Sequence, residues 1–229
     1  MKSLGGIMVQ AGGSVYREMI KVFLFSAVSS LVLVPLVLFV PAGLALVLVP
    51  LLYAPLVAGI FHAMHRLLAG ERAGLKTMLA GAVRYFAPAV LFGLMCSVFI
   101  LILVSTWWYY GQRDGMWNWA LAIFQTYFVV MVFISQLYTL PLIVQRQEPF
   151  FRAVGRSVKL TVLRPGYTIG AFFQLVCVTV VLAATVVGFA VLYAGIAAIY
   201  VNLVVRNVLN AAEGSEPSQD GEAIGGVTG

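Results

Sequence analysis

The most constraining feature of this sequence is the length of its apolar runs. From Tyr167 to Leu209 there is no charged residue before Arg206, and a helix needs only about 20 apolar residues to cross the hydrocarbon core of a bilayer. This stretch is long enough for two crossings, with a break expected near Thr185 to Gly188. The run from Val22 to Leu68 holds another two, and Pro41-Ala42-Gly43 is the expected turn between them.

Two further runs complete a predicted set of six transmembrane helices. They extend from about Ala87 to Trp108 and from about Trp119 to Val144, and each is long enough for one span. Only 10% of the 229 residues are charged and 62% are hydrophobic, whereas soluble domains carry about 25% charged residues. We therefore predict an all-α membrane protein with a cytoplasmic N-terminal segment (1–21), a six-helix transmembrane domain (22–209) and a disordered acidic C-terminal tail (210–229).

The basic residues predict how the chain is oriented. Lys and Arg outnumber Asp and Glu by 14 to 8, and all of the basic residues except Arg113 fall on one side of the predicted bilayer: Lys2, Arg17, Lys21, Arg66, Arg72, Lys76, Arg84, Arg146, Arg152, Arg156, Lys159, Arg164 and Arg206. Short cytoplasmic loops are enriched in Lys and Arg, so both termini are predicted to be cytoplasmic. Beside long apolar runs, the expected partner of these charges is anionic lipid and not nucleic acid.

Aromatic residues mark the opposite side of the membrane. All four tryptophans flank the loop around Gly111 to Gly115, at positions 107, 108, 117 and 119. Rings with a polar edge favour the headgroup level, so we interpret these residues as interfacial anchors.

Two segments between spans have the pattern of amphipathic helices. The first carries apolar residues at helical spacing: Leu75, Met78, Leu79, Ala82, Val83 and Phe86. The second begins near Pro149 and carries an apolar stripe, Phe151, Val154, Val158 and Val162, opposed by Arg152, Arg156 and Lys159. Both are predicted to lie in the plane of the inner membrane surface, with the three basic residues as candidate contacts to lipid or a partner. The alternative is a solvated charged face that only sets the topology.

The two segments also suggest an internal repeat. Leu52-Tyr53-Ala54-Pro55 precedes the first, and Leu137-Tyr138-Thr139-Leu140-Pro141 precedes the second. A descending helix, an in-plane helix and a returning helix would thus occur twice in the same orientation.

A second group of candidate contacts lies at the inner end of span two. His62, His65 and Arg66 are three and four residues apart, which places them on one helical face. They could bind lipid phosphate or a partner, or their polar ends could simply extend to the interface.

Uncharged polar residues within the spans offer a different interpretation. Gln125, Gln136 and Gln174 could line a polar pathway, and the first two lie near the same face of span four. Hydrogen bonding between helices explains such residues equally well. A small-solute transporter or channel is therefore kept as the alternative function.

Enzymatic chemistry is not indicated. The spans contain no Asp or Glu, which a coupled transporter or an intramembrane enzyme usually needs. No GxSxG, HExxH or phosphate-loop motif occurs. No Cys/His cluster has metal-ligand spacing, and Cys96 and Cys177 lie in apolar stretches where a thiol acts as a small hydrophobe. We predict no cofactor, no metal and no enzymatic activity.

Several of these motifs, in this order, resemble the YesL-like family of bacterial membrane proteins. The resemblance rests on Leu52 to Leu56, His65 to Arg72 and Arg84-Tyr85-Phe86, and further on Leu137 to Leu142, Phe150 to Val154 and Ser157. It extends over roughly Lys21 to Asn210 and does not include the Gly-rich N-terminus.

The biochemical function of that family is unknown, and its members are often encoded beside carbohydrate-uptake systems. The resemblance implies an accessory role in the bacterial plasma membrane, and it supplies no catalytic residues. Our leading hypothesis is a non-enzymatic membrane protein that assists a transport system, with transporter subunits as possible partners.

Overall fold

A computed structural model describes residues 3–112, 115–185 and 187–213 of the chain. Within these ranges the regular structure is helical, and no strand occurs. The helices are α1 (Leu4–Arg17), α2 (Met19–Phe39), α3 (Ala42–Leu48), α4 (Ala54–Leu68), α5 (Leu75–Arg84), α6 (Phe86–Tyr110), α7 (Met116–Ser135), α8 (Thr139–Arg146), α9 (Phe150–Leu163), α10 (Pro165–Ala184) and α11 (Val187–Glu213).

The described chain contains six helical stretches that are long and apolar enough to cross a membrane, which confirms the predicted number. They are Met19–Phe39, Ala42–Leu68, Phe86–Tyr110, Met116–Arg146, Pro165–Ala184 and Val187–Ala212. The breaks also agree with the sequence, because α2 ends just before Pro41 and α10 ends at Ala184. The chain is therefore a multi-pass membrane protein.

The second and fourth spans are each interrupted at a Leu-Tyr motif. In span two a π-helical segment, Val49–Tyr53, joins α3 to α4. In span four a turn at 136–138 separates α7 from α8. A proline follows each break within the first turn of the next helix, Pro55 in α4 and Pro141 in α8. A proline there costs little, because the first N–H groups of a helix have no partner inside the helix.

The buried core lies towards one end of the bundle. It is built around the C-terminal half of α11, where nearly every side chain from Ala198 to Leu209 is buried, together with α4 and α8. The opposite halves of α6, α7 and α10 expose many large apolar side chains. Such exposure would be unfavourable in water but is expected of helices that face lipid.

The N-terminal helices pack along α11. In α1, Ile7 and Ala11 are buried in the shared core. In α2, the hydroxyl of Ser26 accepts a hydrogen bond from Gly195 N–H at 2.8 Å, and Ser30 donates to the carbonyl of Ala190. Small residues and hydroxyls at such contacts let two membrane helices approach closely.

The described basic residues from Arg66 onward gather at the end where α4, α8 and α11 terminate, which we call the basic end. Arg84 of α5 donates to Gln147 after α8 at 2.9 Å, and Arg164 donates to the carbonyl of Ala211 in α11. At the other end, Trp107 Nε1 donates to Thr126 Oγ1 at 3.0 Å across the α6–α7 hairpin. Lys2, Arg113 and the predicted acidic tail beyond residue 213 lie outside the described residues.

Candidate functional site at the basic end

The three polar residues that the sequence places on one face of α4 contact three different neighbours. The His62 ring lies 5.5 Å from the ring of Tyr85, and its buried Nδ1 has no hydrogen-bond partner among the described residues. The Arg66 Nε atom lies 2.5 Å from a carboxylate oxygen of Glu71. His65 instead lines a cleft towards α8 and α11. The structure therefore does not bring His62, His65 and Arg66 into one common site.

The surface of helix α9 has three faces, which differ in burial and charge. The inward face consists of Ala153, Ser157 and Leu160, all buried. The Ser157 hydroxyl donates to the carbonyl of Ser135 at 2.6 Å and accepts from Tyr138 N–H at 3.2 Å, which fixes α9 against the break in span four.

The apolar stripe of α9 predicted from the sequence is largely exposed. Phe151 is 81% exposed, Val162 72% and Val158 39%. Between this stripe and the inward face lies the basic face, where Arg156 pairs with Glu148. Within the described part of the chain, Arg152 and Lys159 make no ion pair.

Helix α5 has the same three faces. Its inward face carries Met78, Gly81 and Ala82, its exposed apolar stripe carries Leu75, Leu79 and Val83, and Lys76 and Arg84 form the basic face. An α-helix has 3.6 residues per turn, so the position of each face around the helix axis can be compared. Going around the axis in one direction, the inward face is followed by the apolar stripe and then by the basic face in both α5 and α9. Helical spacing predicts one stripe for Met78, Leu79, Ala82 and Val83, but Met78 and Ala82 are buried against α4 and the other two are exposed.

The junction of α5 and α6 is anchored by Tyr85. Its hydroxyl donates to the carbonyl of Val144 at 3.4 Å, and the Arg84 guanidinium lies 5.6 Å from the centre of its ring. Burial raises the pKa of the Tyr85 hydroxyl, and the neighbouring Arg84 partly offsets that rise. The tyrosine therefore remains a neutral hydrogen-bond donor that holds α5 against α8.

A polar cleft of about 480 Å³ opens between the ends of α4, α8 and α11, and we call it the central cleft. Its polar lining consists of His65, Gln145, Arg146, Asn202, Arg206 and Asn210. Gln145 Nε2 donates to Asn202 Oδ1 at 2.8 Å, and Asn202 Nδ2 donates to the carbonyl of Phe61 at 3.2 Å. These bonds join three helices at the floor of the cleft.

A second cleft, of about 590 Å³, lies between α9 and α11. Arg156, Lys159 and Arg164 give it a basic rim, whereas Leu160, Leu163, Val208 and Ala212 make the rest of its lining apolar. Of the predicted basic contacts, Arg156 and Lys159 thus share one concave surface, and Arg152 lies outside it.

The glutamines of the proposed polar pathway do not contact one another in the described structure. Gln136 caps α7 and accepts from Thr139 Oγ1 at 2.6 Å. Gln174 in α10 accepts from the Tyr200 hydroxyl at 2.7 Å, and Gln125 is half-buried on α7. For Gln136 and Gln174, the observed partners are those of helix packing.

Sequence reasoning did not find the central cleft. Asn202 is recognisable as a polar residue within a span. Its hydrogen-bond partner Gln145 is 57 positions away, and no local sequence pattern indicates that the two residues meet. Among the described residues, no three His, Cys, Asp or Glu side chains are arranged to hold a metal ion. Neither Cys96 nor Cys177 is in a disulfide.

Comparison with protein-family models, with curated proteins and with solved structures gives no match to this chain.

Proposed function

We propose that this chain is a non-enzymatic accessory component of a bacterial membrane transport system, possessing two in-plane helices that dock on lipid headgroups and transporter subunits. The observation that carries the proposal is the surface of α5 and α9 at the basic end. Each helix packs one face on the bundle and leaves an apolar stripe and a basic face exposed.

An exposed apolar stripe beside a row of cations is the surface that an interfacial helix presents to a bilayer. The apolar side chains enter the boundary of the acyl chains, and the cations contact anionic headgroups. Each basic residue near such a surface contributes about 1 kcal/mol of attraction. The docking surface of α9 would comprise Phe151, Val158 and Val162 together with Arg152, Arg156 and Lys159.

The distribution of charge supports a plasma-membrane location with the basic end in the cytoplasm. Ten of the basic residues, from Arg66 to Arg206, lie at this end of the described chain. Lys and Arg are enriched in short cytoplasmic loops, so both termini would be cytoplasmic. The resemblance to the YesL-like family supports a role beside a carbohydrate-uptake system.

The orientation can be tested by cysteine labelling in intact cells. After Cys96 and Cys177 are replaced by alanine, single cysteines at Gly74 and Pro149 should react only with reagents that cross the membrane. A cysteine at Met116, which is 88% exposed, should react with impermeant reagents. Gly115 is less suitable because its φ of 134° disfavours any side chain. The reverse labelling pattern would overturn the orientation.

The in-plane position of α9 can be tested by scanning nitroxide labels along residues 151–163 in liposomes. Collisions with dissolved oxygen should be most frequent at Phe151, Val158 and Val162, and collisions with a water-soluble relaxant most frequent at Arg152 and Lys159. If every position is equally accessible to the water-soluble relaxant, α9 does not lie on the membrane.

The accessory role can be tested by deleting the gene in the host and measuring uptake of a panel of carbohydrates. We expect slower uptake with unchanged abundance of the transporter subunits, restored by the wild-type chain but not by a variant with Arg152, Arg156 and Lys159 changed to Gln. Unchanged uptake on every carbohydrate contradicts this role. Solute flux through the purified chain alone in liposomes would favour the alternative of a transporter or channel.

A further inference from the structure

We propose that the central cleft binds a phosphate group, a function beyond the docking role of α5 and α9. The proposal rests on Arg206, His65, Asn210 and the fixed amide floor of Gln145 and Asn202. No carboxylate lines this cleft in the described chain.

The charge of the cleft favours an anion. Arg206 is exposed and makes no hydrogen bond or ion pair within the described residues, and Arg146 also lines the cleft. The C-terminal ends of α4 and α8 lie beside them, but a helix end carries only about half of a negative charge. The carboxylate of Glu71 interacts electrostatically with His65, but it is already paired with Arg66. Within the described residues, the cleft therefore offers an anion an unpaired guanidinium and no carboxylate.

The arrangement of donors suits a phosphate group. Guanidinium groups bind phosphate through two parallel hydrogen bonds, and they are less strongly hydrated than ammonium groups. Polar side chains enter the cleft from three helices, His65 from α4, Arg146 from α8, and Arg206 and Asn210 from α11. A tetrahedral anion with oxygens on several sides can use donors from such different directions, whereas a planar carboxylate uses fewer.

The floor of the cleft is preorganised. Asn202 is 1% exposed, and both polar atoms of its side chain are already bonded, one to Gln145 and one to Phe61. The floor consequently holds the three helix ends together whether or not a ligand is bound. A phosphate could come from a lipid headgroup or from a soluble phosphorylated metabolite, because both present the same group.

The test uses the full chain in nanodiscs of neutral phosphatidylcholine. Inorganic phosphate is titrated against chloride at constant ionic strength, and the unfolding temperature is followed by tryptophan fluorescence. Phosphate should raise the unfolding temperature of the wild type, and Arg206→Gln should weaken the apparent affinity roughly tenfold or more, as expected for loss of a charged hydrogen bond. Arg72→Gln removes the same charge at the same end of the chain from an exposed residue outside the cleft, and it should leave the affinity unchanged.

A second arm identifies the source of the phosphate. Discs in which part of the neutral lipid is replaced by phosphatidylglycerol should stabilise the wild type more than Arg206→Gln if the ligand is a headgroup. Stabilisation by inorganic phosphate in neutral discs indicates a soluble ligand. If Arg206→Gln does not fold, His65→Gln is compared with the same control. The proposal is overturned if neither phosphate nor phosphatidylglycerol stabilises the wild type, or if Arg72→Gln weakens binding as much as the cleft variant.

Discussion

Replacement of Gly59 by alanine should push α5 away from α4. A Cβ atom at Gly59 would collide with the backbone carbonyl oxygen of Met78 and would lie 3.0 Å from Ala82 N and 3.1 Å from Ala82 Cβ. Two of these three atoms belong to the backbone and cannot rotate away. The new methyl group therefore fits only if the two helices separate.

Two opposing contributions determine how much Gly59→Ala changes the free energy of unfolding. Overpacking of a closely packed contact costs about 1–3 kcal/mol, whereas Gly→Ala inside a helix gains up to about 1 kcal/mol of helix propensity. Gly155 in α9 provides a matched control, because a Cβ there meets nothing within 4 Å. The difference in stability between Gly59→Ala and Gly155→Ala should therefore be about 1–3 kcal/mol, since the propensity gain is common to both.

The measurement is thermal unfolding of both purified variants in the same detergent. In a chain of this size 1 kcal/mol corresponds to about 2–4 °C. Gly59→Ala should unfold roughly 2–12 °C below Gly155→Ala. Equal unfolding temperatures would show that α4 and α5 are not in close contact at Gly59.

Three further substitutions test the packing of the bundle by the same measurement. Asn202→Ala removes two side-chain hydrogen bonds between helices and should cost about 0.6–1.7 kcal/mol for each, whereas the exposed Asn210→Ala should have little effect. Ser26→Ala removes the acceptor of an N–H group in α11 and should cost about 0.6 kcal/mol; an unchanged unfolding temperature would contradict that bond. Trp107→Phe keeps the ring but loses the hydrogen bond to α7, at about 0.5–1.5 kcal/mol, while the 84% exposed Trp117 should tolerate the same change.

The spans and their breaks could be predicted because the signals are local. A run as long as Tyr167 to Leu209, with no charge before Arg206, has few alternatives to a pair of helices in a membrane protein. The end of α10 at Ala184 and the start of α11 at Val187 follow from the same run length.

The sequence could not predict which residues share a site. Helical spacing shows which way a side chain points, but it does not show which other helix packs against it. His62, His65 and Arg66 are close on the surface of α4, but their neighbours differ. His62 contacts Tyr85 at the end of α5, His65 faces the central cleft, and Arg66 pairs with Glu71 in the loop after α4. Each residue accordingly has a different environment. In α5, likewise, an apolar period predicts one stripe, but only contact with α4 decides that Met78 is buried and Leu79 is 51% exposed.

The internal repeat suggested by the sequence stays a prediction, and the two halves of the structure share two features. Spans two and four each break at a Leu-Tyr motif followed by proline, and each following helix carries its inward, apolar and basic faces in the same rotational order. The contacts that hold those helices nevertheless differ in chemistry. In the first half Gly59 and Gly81 allow close approach of α4 and α5, whereas in the second half the hydroxyl of Ser157 bonds to the backbone on both sides of α7's end. The two halves therefore share a backbone plan, in which a broken span leads to a helix with three faces, but they hold that helix with different contact residues.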